Sequence, residues 1–250
     1  QKKKLGFNNK IQPDMRSIVV KEGSRDIINE AFRVLRSNID FMLGKNSRQN
    51  VFVITSFNPG SGKSFLAMNI AMSFAIKKKR ILVIDGDLRH GSISSYVDFP
   101  KVGLSDYLGN RVNSWKEIIV KDKQYDNLHI LPIGIIPPNP TELLEDDKLI
   151  SLIGALRSEY DYIFIDCPPI DIVADAQIIE KLADRTVFVV RSGLLDRSML
   201  SELENICQEK RFKNLGVILN GTESVGGRYS YRYGYRYGYH NGSYYYGSNA

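Results

Sequence analysis

The sequence predicts an α/β fold, a parallel β-sheet with helices on both faces, and three observations carry that expectation. Six apolar runs rich in Val and Ile recur at residues 51–55, 81–85, 128–131, 162–166, 186–191 and 215–220. They do not alternate with polar residues, which is the pattern of strands buried on both faces. Helical stretches at 65–78, 146–159 and 197–210 lie between several of them, and such alternation builds a parallel sheet. The composition allows it: 250 residues, 43% apolar and 25% charged, can bury a large core and are neither disordered nor fibrous.

In chain order, residues 24–43 read first as a helix. Ser24 is its expected cap, and Ile28, Phe32, Leu35, Ile39 and Met42 follow at spacings of 4, 3, 4 and 3 on one face. The strand at 51–55 leads through a glycine-rich loop into the helix at 65–78. The strands at 81–85 and 162–166 both end in aspartate. After 128–131 comes Pro137-Pro138-Asn139-Pro140, a loop able to border a cleft ahead of a helix opening near Thr141. The last strand closes on Asn220 before Gly221. In an open sheet of this kind the ligand lies beyond the carboxyl ends of the strands, where the strand order reverses.

Charge excludes some functions. The chain sums to +6, but residues 1–10 hold four lysines and no acid, and residues 228–250 three arginines and no acid. The intervening body carries 27 basic against 28 acidic side chains. Basic ends suit a membrane surface, nucleic acid or plain solvent; a neutral body argues against a nucleic-acid-binding module, and no nucleic-acid partner is expected. Cys167 and Cys207 can build neither a disulfide framework nor a four-ligand zinc site, and His90, His129 and His240 lack metal-ligand spacing. A reducing, cytoplasmic setting is therefore expected. No apolar run approaches the ~20 residues of a membrane helix, and the basic start leads into no signal-peptide core.

Phe57-Asn58-Pro59-Gly60-Ser61-Gly62-Lys63-Ser64 sits between a strand and a helix. Gly60 and Gly62 let backbone N–H groups turn toward an anion, and the helix N-terminus adds its positive end. Lys63 is placed to reach β- and γ-phosphates and the Ser64 hydroxyl to hold Mg²⁺, although Phe57 stands where the strict phosphate-loop pattern has Gly. Asp85-Gly86-Asp87-Leu88-Arg89 and Asp166-Cys167-Pro168-Pro169 follow two other strand tips. Such tips converge on the loop, so Asp85, Asp87 and Asp166 can approach one ion.

These segments resemble the Walker A, A′ and B motifs of bacterial tyrosine kinases (BY-kinases), specifically the cytoplasmic catalytic domain of the capsule and exopolysaccharide type. The resemblance covers roughly residues 24–250 and implies a P-loop NTPase fold shared with septum-positioning and partition ATPases. It implies that Gly60, Ser61, Gly62, Lys63, Ser64 and Phe65 bind ATP and that Ser64, Asp85 and Asp166 hold Mg²⁺. Asp87 then accepts the tyrosine proton, and Arg89 either balances charge on the transferring phosphoryl group or pairs with Asp87. In related ATPases an Asn in the place of Asn220 touches adenine, which makes Asn220 a nucleotide-binding candidate. Partition ATPases carry a signature lysine early in the loop; Pro59 stands there instead.

Nine of the 14 tyrosines fall in the last 22 residues: Tyr229, Tyr231, Tyr233, Tyr235, Tyr237, Tyr239, Tyr244, Tyr245 and Tyr246. With small and basic spacers and no aliphatic residue before the final Ala, residues 226–250 are expected to be disordered on their own. The segment resembles the cluster that BY-kinases autophosphorylate; the rival reading is a tail that stacks on single-stranded nucleic acid. Glu30-x-x-Arg33-x-x-Arg36 lies largely off the apolar face of the first helix. It matches the spacing by which these kinases join subunits into a ring, which leaves the three side chains for a neighbour.

The resulting domain organisation is a basic juxtamembrane-like segment at 1–23, a kinase domain at 24–221 with an oligomerisation helix at 24–43, and the tail at 222–250. The implied activity is ATP-dependent autophosphorylation of tail tyrosines between subunits, regulating exopolysaccharide or capsule synthesis and export. The partners are further copies of the chain and a membrane-spanning activator segment on the same or a partner chain, at the cytoplasmic face of the inner membrane. The alternative is a nucleotide-switched localisation ATPase.

Overall fold

The structure, a computed structural model, describes residues 17–43, 49–170 and 174–222. The chain divides into two units, Gln1–Asn220 and Gly221–Ala250, and the fold is that of the first. The basic residues 1–16 and every tail tyrosine from Tyr229 to Tyr246 lie outside the described residues.

Seven strands form one sheet: β1 (Val51–Thr55), β2 (Ile81–Asp85), β3 (Val120–Lys121), β4 (Leu128–Leu131), β5 (Tyr162–Asp166), β6 (Arg185–Arg191) and β7 (Leu215–Asn220). Their order is β3-β4-β2-β5-β1-β6-β7. All neighbours are parallel except β3, which pairs antiparallel with β4 and is too short to leave a run in the sequence. β5 lies between β2 and β1, while β6 pairs with the other edge of β1. The strand order therefore reverses about β1, and the crevice at its carboxyl end is the expected place for a ligand.

The helices are α1 (Ile27–Leu43), α2 (Lys63–Ala75), α3 (Leu104–Leu108), α4 (Pro140–Glu145), α5 (Asp147–Glu159), α6 (Asp175–Glu180) and α7 (Met199–Gln208). On one face of the sheet, Phe52, Ile54, Val83 and Phe164 pack under α2 and α1. On the other, Val53, Ile84, Ile163 and Ile165 pack under α3 to α6, and α7 covers Phe188 and Val190. Among the described residues no helix is long and apolar enough to cross a membrane.

The α2 helix is buried around its whole circumference from Leu66 to Ala75, because the sheet lies beneath it and α1 above. Phe32 of α1 meets Phe65 edge-on at 6.2 Å. Asn69 is fully buried and ties α2 to the entering chain: Oδ1 accepts from the N–H groups of Val19 and Val20 at 2.8 and 3.2 Å, and Nδ2 donates to Ser17 O at 3.3 Å and to Phe65 O of its own helix at 2.9 Å.

Four expectations are corrected here. The cap of α1 is Asp26 rather than Ser24: Asp26 immediately precedes the helix, and its Oδ1 accepts from Asn29 N at 2.8 Å. The apolar stripe docks through Phe32, Leu35 and Ile39, but Ile28 is 51% exposed. At that end the buried residue is Asn29, whose amide binds Lys21 N and Val19 O of the entering chain. Strand β7 is an edge strand that α7 does not fully cover, so Val217 and Leu219 are 50% and 60% exposed. Finally, Arg36 is not wholly free, since its Nη1 donates to Ser73 O of α2 at 2.8 Å. Arg33 donates to Glu30 and to Ser24 O, while Glu30 stays exposed.

Candidate active site

The loop between β1 and α2 is shaped by two glycines. Gly60 and Gly62 stand at φ +75° and +91°, the left-handed region that other residues enter at a cost. Gly62 immediately precedes α2, so the first backbone N–H groups of a 13-residue helix open onto the loop. The last residues of two strands brace it. Asn220 Nδ2 donates to Ser61 O at 2.9 Å, and Arg191 Nη1 donates to Gly60 O at 2.6 Å. Asn220 sits so close that a Cβ on Gly62 would lie 2.4 Å from its Nδ2.

Lys63 is 9% exposed, and its Nζ donates to Ser56 Oγ at 3.2 Å. Burial pushes its pKa below the usual lysine value, against the opposing pull of Asp166 and Asp87. An ammonium held this dry beside a neutral hydroxyl favours a bound anion.

Parallel pairing sets Asp85 directly opposite Asp166. Ser64 Oγ donates to Asp166 Oδ2, and Asp85 Oδ2 accepts from the N–H and hydroxyl of Ser94, both at 2.7 Å. The second oxygen of each carboxylate is buried without a hydrogen-bond partner. Burial first, then the neighbouring Asp166, raises Asp85 to about 8; burial raises Asp166 to about 7 although Ser64 and Lys63 oppose it. Two dry carboxylates with idle oxygens beside a hydroxyl suit a hard divalent cation. Among the described residues no three His, Cys, Asp or Glu side chains are grouped to hold a metal. Magnesium does not need such a group, because it keeps water and takes one or two carboxylates with substrate phosphates. The residues present fit the ion.

Asp87, two residues beyond β2, accepts from Arg89 N at 3.2 Å and contacts His90 Nδ1 at 3.2 Å. The Arg89 guanidinium does not pair with Asp87, which corrects one of its two expected roles. Its Nε donates to Asp175 Oδ2 at 3.1 Å and its Nη2 to Thr141 Oγ1 at 3.0 Å. Asp175 is fully buried, so it needs the countercharge more than Asp87 does. Lys63, Ser64, Asp87 and Arg89 line one cavity of about 370 Å³, with Gly60, Gly62 and Phe65 in its wall. That volume suits a small-molecule ligand.

A family model described as an AAA domain matches residues 49–209. The putative tyrosine-protein kinase CapB of Staphylococcus aureus is 34% identical over 204 residues, 81% of this chain and 88% of CapB. The chain belongs to the bacterial tyrosine-protein kinases. Two solved structures agree with that membership. The chimerical protein CapA2B2 superposes on the kinase with a TM-score of 0.73 at 33% identity, over 81% of this chain and 88% of its own. The kinase domain of the Escherichia coli tyrosine kinase ETK gives 0.71 at 30% identity, over 84% and 80%. The septum site-determining protein MinD of Pyrococcus horikoshii, 24% identical with a TM-score of 0.56 over 68% of this chain and 69% of its own, shares the fold.

The structure brings the predicted loop residues and the three predicted aspartates of the kinase to one strand-tip crevice. Ser94, Thr141, Asp175 and Arg191 belong there too and carry no motif. Two left a signal: Arg191 as a charged residue closing a buried strand, and Thr141 at the helix start behind the proline-rich loop expected to border a cleft.

Proposed function

We propose that this kinase transfers the γ-phosphoryl group of ATP to the tyrosines at residues 229–246, between subunits of a homo-oligomer. One observation carries the reading: a single cavity gathers Lys63, Ser64 and Asp87, with Asp166 hydrogen-bonded to Ser64. The loop N–H groups and Lys63 bind the β- and γ-phosphates, and Asn220 stands at the loop for the base. Charge neutralisation on those phosphates is what magnesium supplies when bound, with Ser64, Asp85 and Asp166 as its holders. Asp87 accepts the tyrosine hydroxyl proton as that oxygen bonds to the γ-phosphorus; the bond from phosphorus to the bridging oxygen breaks and ADP leaves. Positioning and charge stabilisation suffice for such a transfer.

Exposed Glu30, with Arg33 and Arg36 beside it, is the proposed subunit contact. The lysines in residues 1–10 support a place at the cytoplasmic face of the inner membrane, next to a membrane-spanning activator segment. Regulation of exopolysaccharide or capsule export is the role this placement supports.

Mass spectrometry of the purified protein, with and without ATP and Mg²⁺, tests the reading. Phosphate should appear on residues 229–246 only with both present, and Lys63→Met should reduce it by about 100-fold or more. A tail modified at the normal rate by Lys63→Met would show that the phosphate site lies elsewhere.

A further inference from the structure

Arg89 is held by a closed set of hydrogen bonds. Asp175 Oδ2 accepts from Arg89 Nε at 3.1 Å, Asp175 Oδ1 accepts from Thr141 Oγ1 at 2.7 Å, and Thr141 Oγ1 accepts from Arg89 Nη2 at 3.0 Å. Each oxygen of Asp175 is used once. The Thr141 hydroxyl both donates and accepts, so its orientation is fixed. The three residues come from the segment after β2, from α4 and from α6, and Asp175 has no exposed surface. The arrangement uses two N–H groups of the guanidinium on one side, while Arg89 lines the phosphate cavity and keeps 37% of its side chain exposed. The other N–H groups have no hydrogen-bond partner among the described residues.

We infer that Asp175 and Thr141 are positioning residues for the kinase reaction, fixing the Arg89 guanidinium at the cavity so that it meets the transferring phosphoryl group in one orientation. A free arginine loses rotamer entropy whenever it engages a ligand, whereas a planar fork already clamped on one edge does not. Donors fixed before charge develops stabilise a transition state without reorganising. A purely architectural reading explains less, because a buried ion pair adds little stability over apolar residues of the same volume. The inference rests on the phosphate-site reading above, with Arg89 facing the phosphoryl group rather than Asp87.

The test is steady-state and single-turnover phosphorylation of a tyrosine peptide by Asp175→Asn, which keeps the shape and removes the charge. We expect kcat to fall about tenfold while KM for the peptide and Kd for ATP with Mg²⁺ stay within about twofold, the pattern of a contact made only in the transition state. Thr141→Val should give a smaller fall of about threefold with the same split, and Thr141→Ser should restore the rate. In an Arg89→Ala background, Asp175→Asn should add nothing further. An unchanged kcat in folded Asp175→Asn and Thr141→Val would overturn the inference, as would the same tenfold fall without Arg89. Loss of ATP binding in Asp175→Asn would instead make the role architectural and also overturn it. A wild-type protein that makes no phosphotyrosine would take down the site reading itself, and this inference with it.

Discussion

Lys63 is buried and His129 half-buried, with opposite consequences. Lys63 is charged and buried beside a hydroxyl, so its removal relieves a desolvation cost even as Asp166 loses a favourable neighbour. Lys63→Met should therefore abolish phosphoryl transfer without lowering the melting temperature by more than a few degrees, which thermal unfolding of the nucleotide-free protein can check. His129 is held neutral. Its Nε2 faces Asp126 O at 3.0 Å, which can only accept, so Nδ1 accepts the Tyr160 hydroxyl at 2.7 Å. Burial lowers His129 from its usual value and raises Tyr160 to about 12. The unfolded chain protonates its histidine near pH 6.5 while the folded site resists, so this pair's contribution to stability falls as pH drops below about 6.5. It also falls as pH rises above about 10, where the unfolded tyrosine ionises and the folded one does not. Buried Asp85 and Asp166, raised to about 8 and about 7, add stability as pH falls. The His129–Tyr160 pair is therefore read as the difference in melting temperature between wild type and variant from pH 4 to 11: His129→Gln should gain on wild type below about pH 6.5, and Tyr160→Phe above about pH 10. Differences that do not change with pH would show that the pair carries neither effect. The residues of the phosphate site were legible because loop and strand-tip motifs are local in sequence. Asp175 was not, because its partners lie 86 and 34 positions away and no spacing rule spans that distance.

The α1 helix owes its place to two asparagines that the apolar pattern does not reveal. Its 4-3-4-3 stripe gave the docking face at Phe32, Leu35 and Ile39, yet overestimated Ile28, because periodicity assumes a core under the whole length of the helix. Here residues 19–21 lie under the first turn and are held through amides of Asn29 and Asn69. Buried N–H groups left without an acceptor cost about 1–3 kcal/mol, so Asn69→Ala should lower unfolding free energy by about 2–3 kcal/mol in urea. Asn69→Leu restores the volume without the acceptor and should lose about as much. A Leu variant as stable as wild type would mean that packing, not the hydrogen bonds to Val19 and Val20, sets the cost. Strand β7 shows the complementary limit: its apolar run was legible as a strand, but an edge position depends on pairing order, which residue type alone does not encode.

At the scale of the molecule, charge links catalysis to assembly. Residues 228–250 carry three arginines and no acid, whereas six phosphates at −1.5 to −2 each would bring them to about −6 to −9. Such tails should repel one another and the carboxylates of the site. We expect an oligomer before phosphorylation and monomers after it, measured by light scattering on both states. The structure also separates two roles within the helix motif. Glu30→Ala should give monomers with an unchanged melting temperature, whereas Arg36→Ala should also lower stability, because Arg36 ties α1 to Ser73 O. An assembly indifferent to both phosphate and Glu30 would remove this motif as the subunit contact.

The enclosure of α2 has a practical corollary for anyone handling the protein in pieces. The family match runs from residue 49 to 209, yet α1 precedes it and β7 follows it. A fragment trimmed to those limits would bare the apolar back of α2 at Phe65 and its neighbours and strand the Asn69 amide. It would also turn β6 into an open edge with unpaired N–H and C=O groups. Such a fragment should aggregate on expression. Well-behaved boundaries lie before residue 17 and after residue 220.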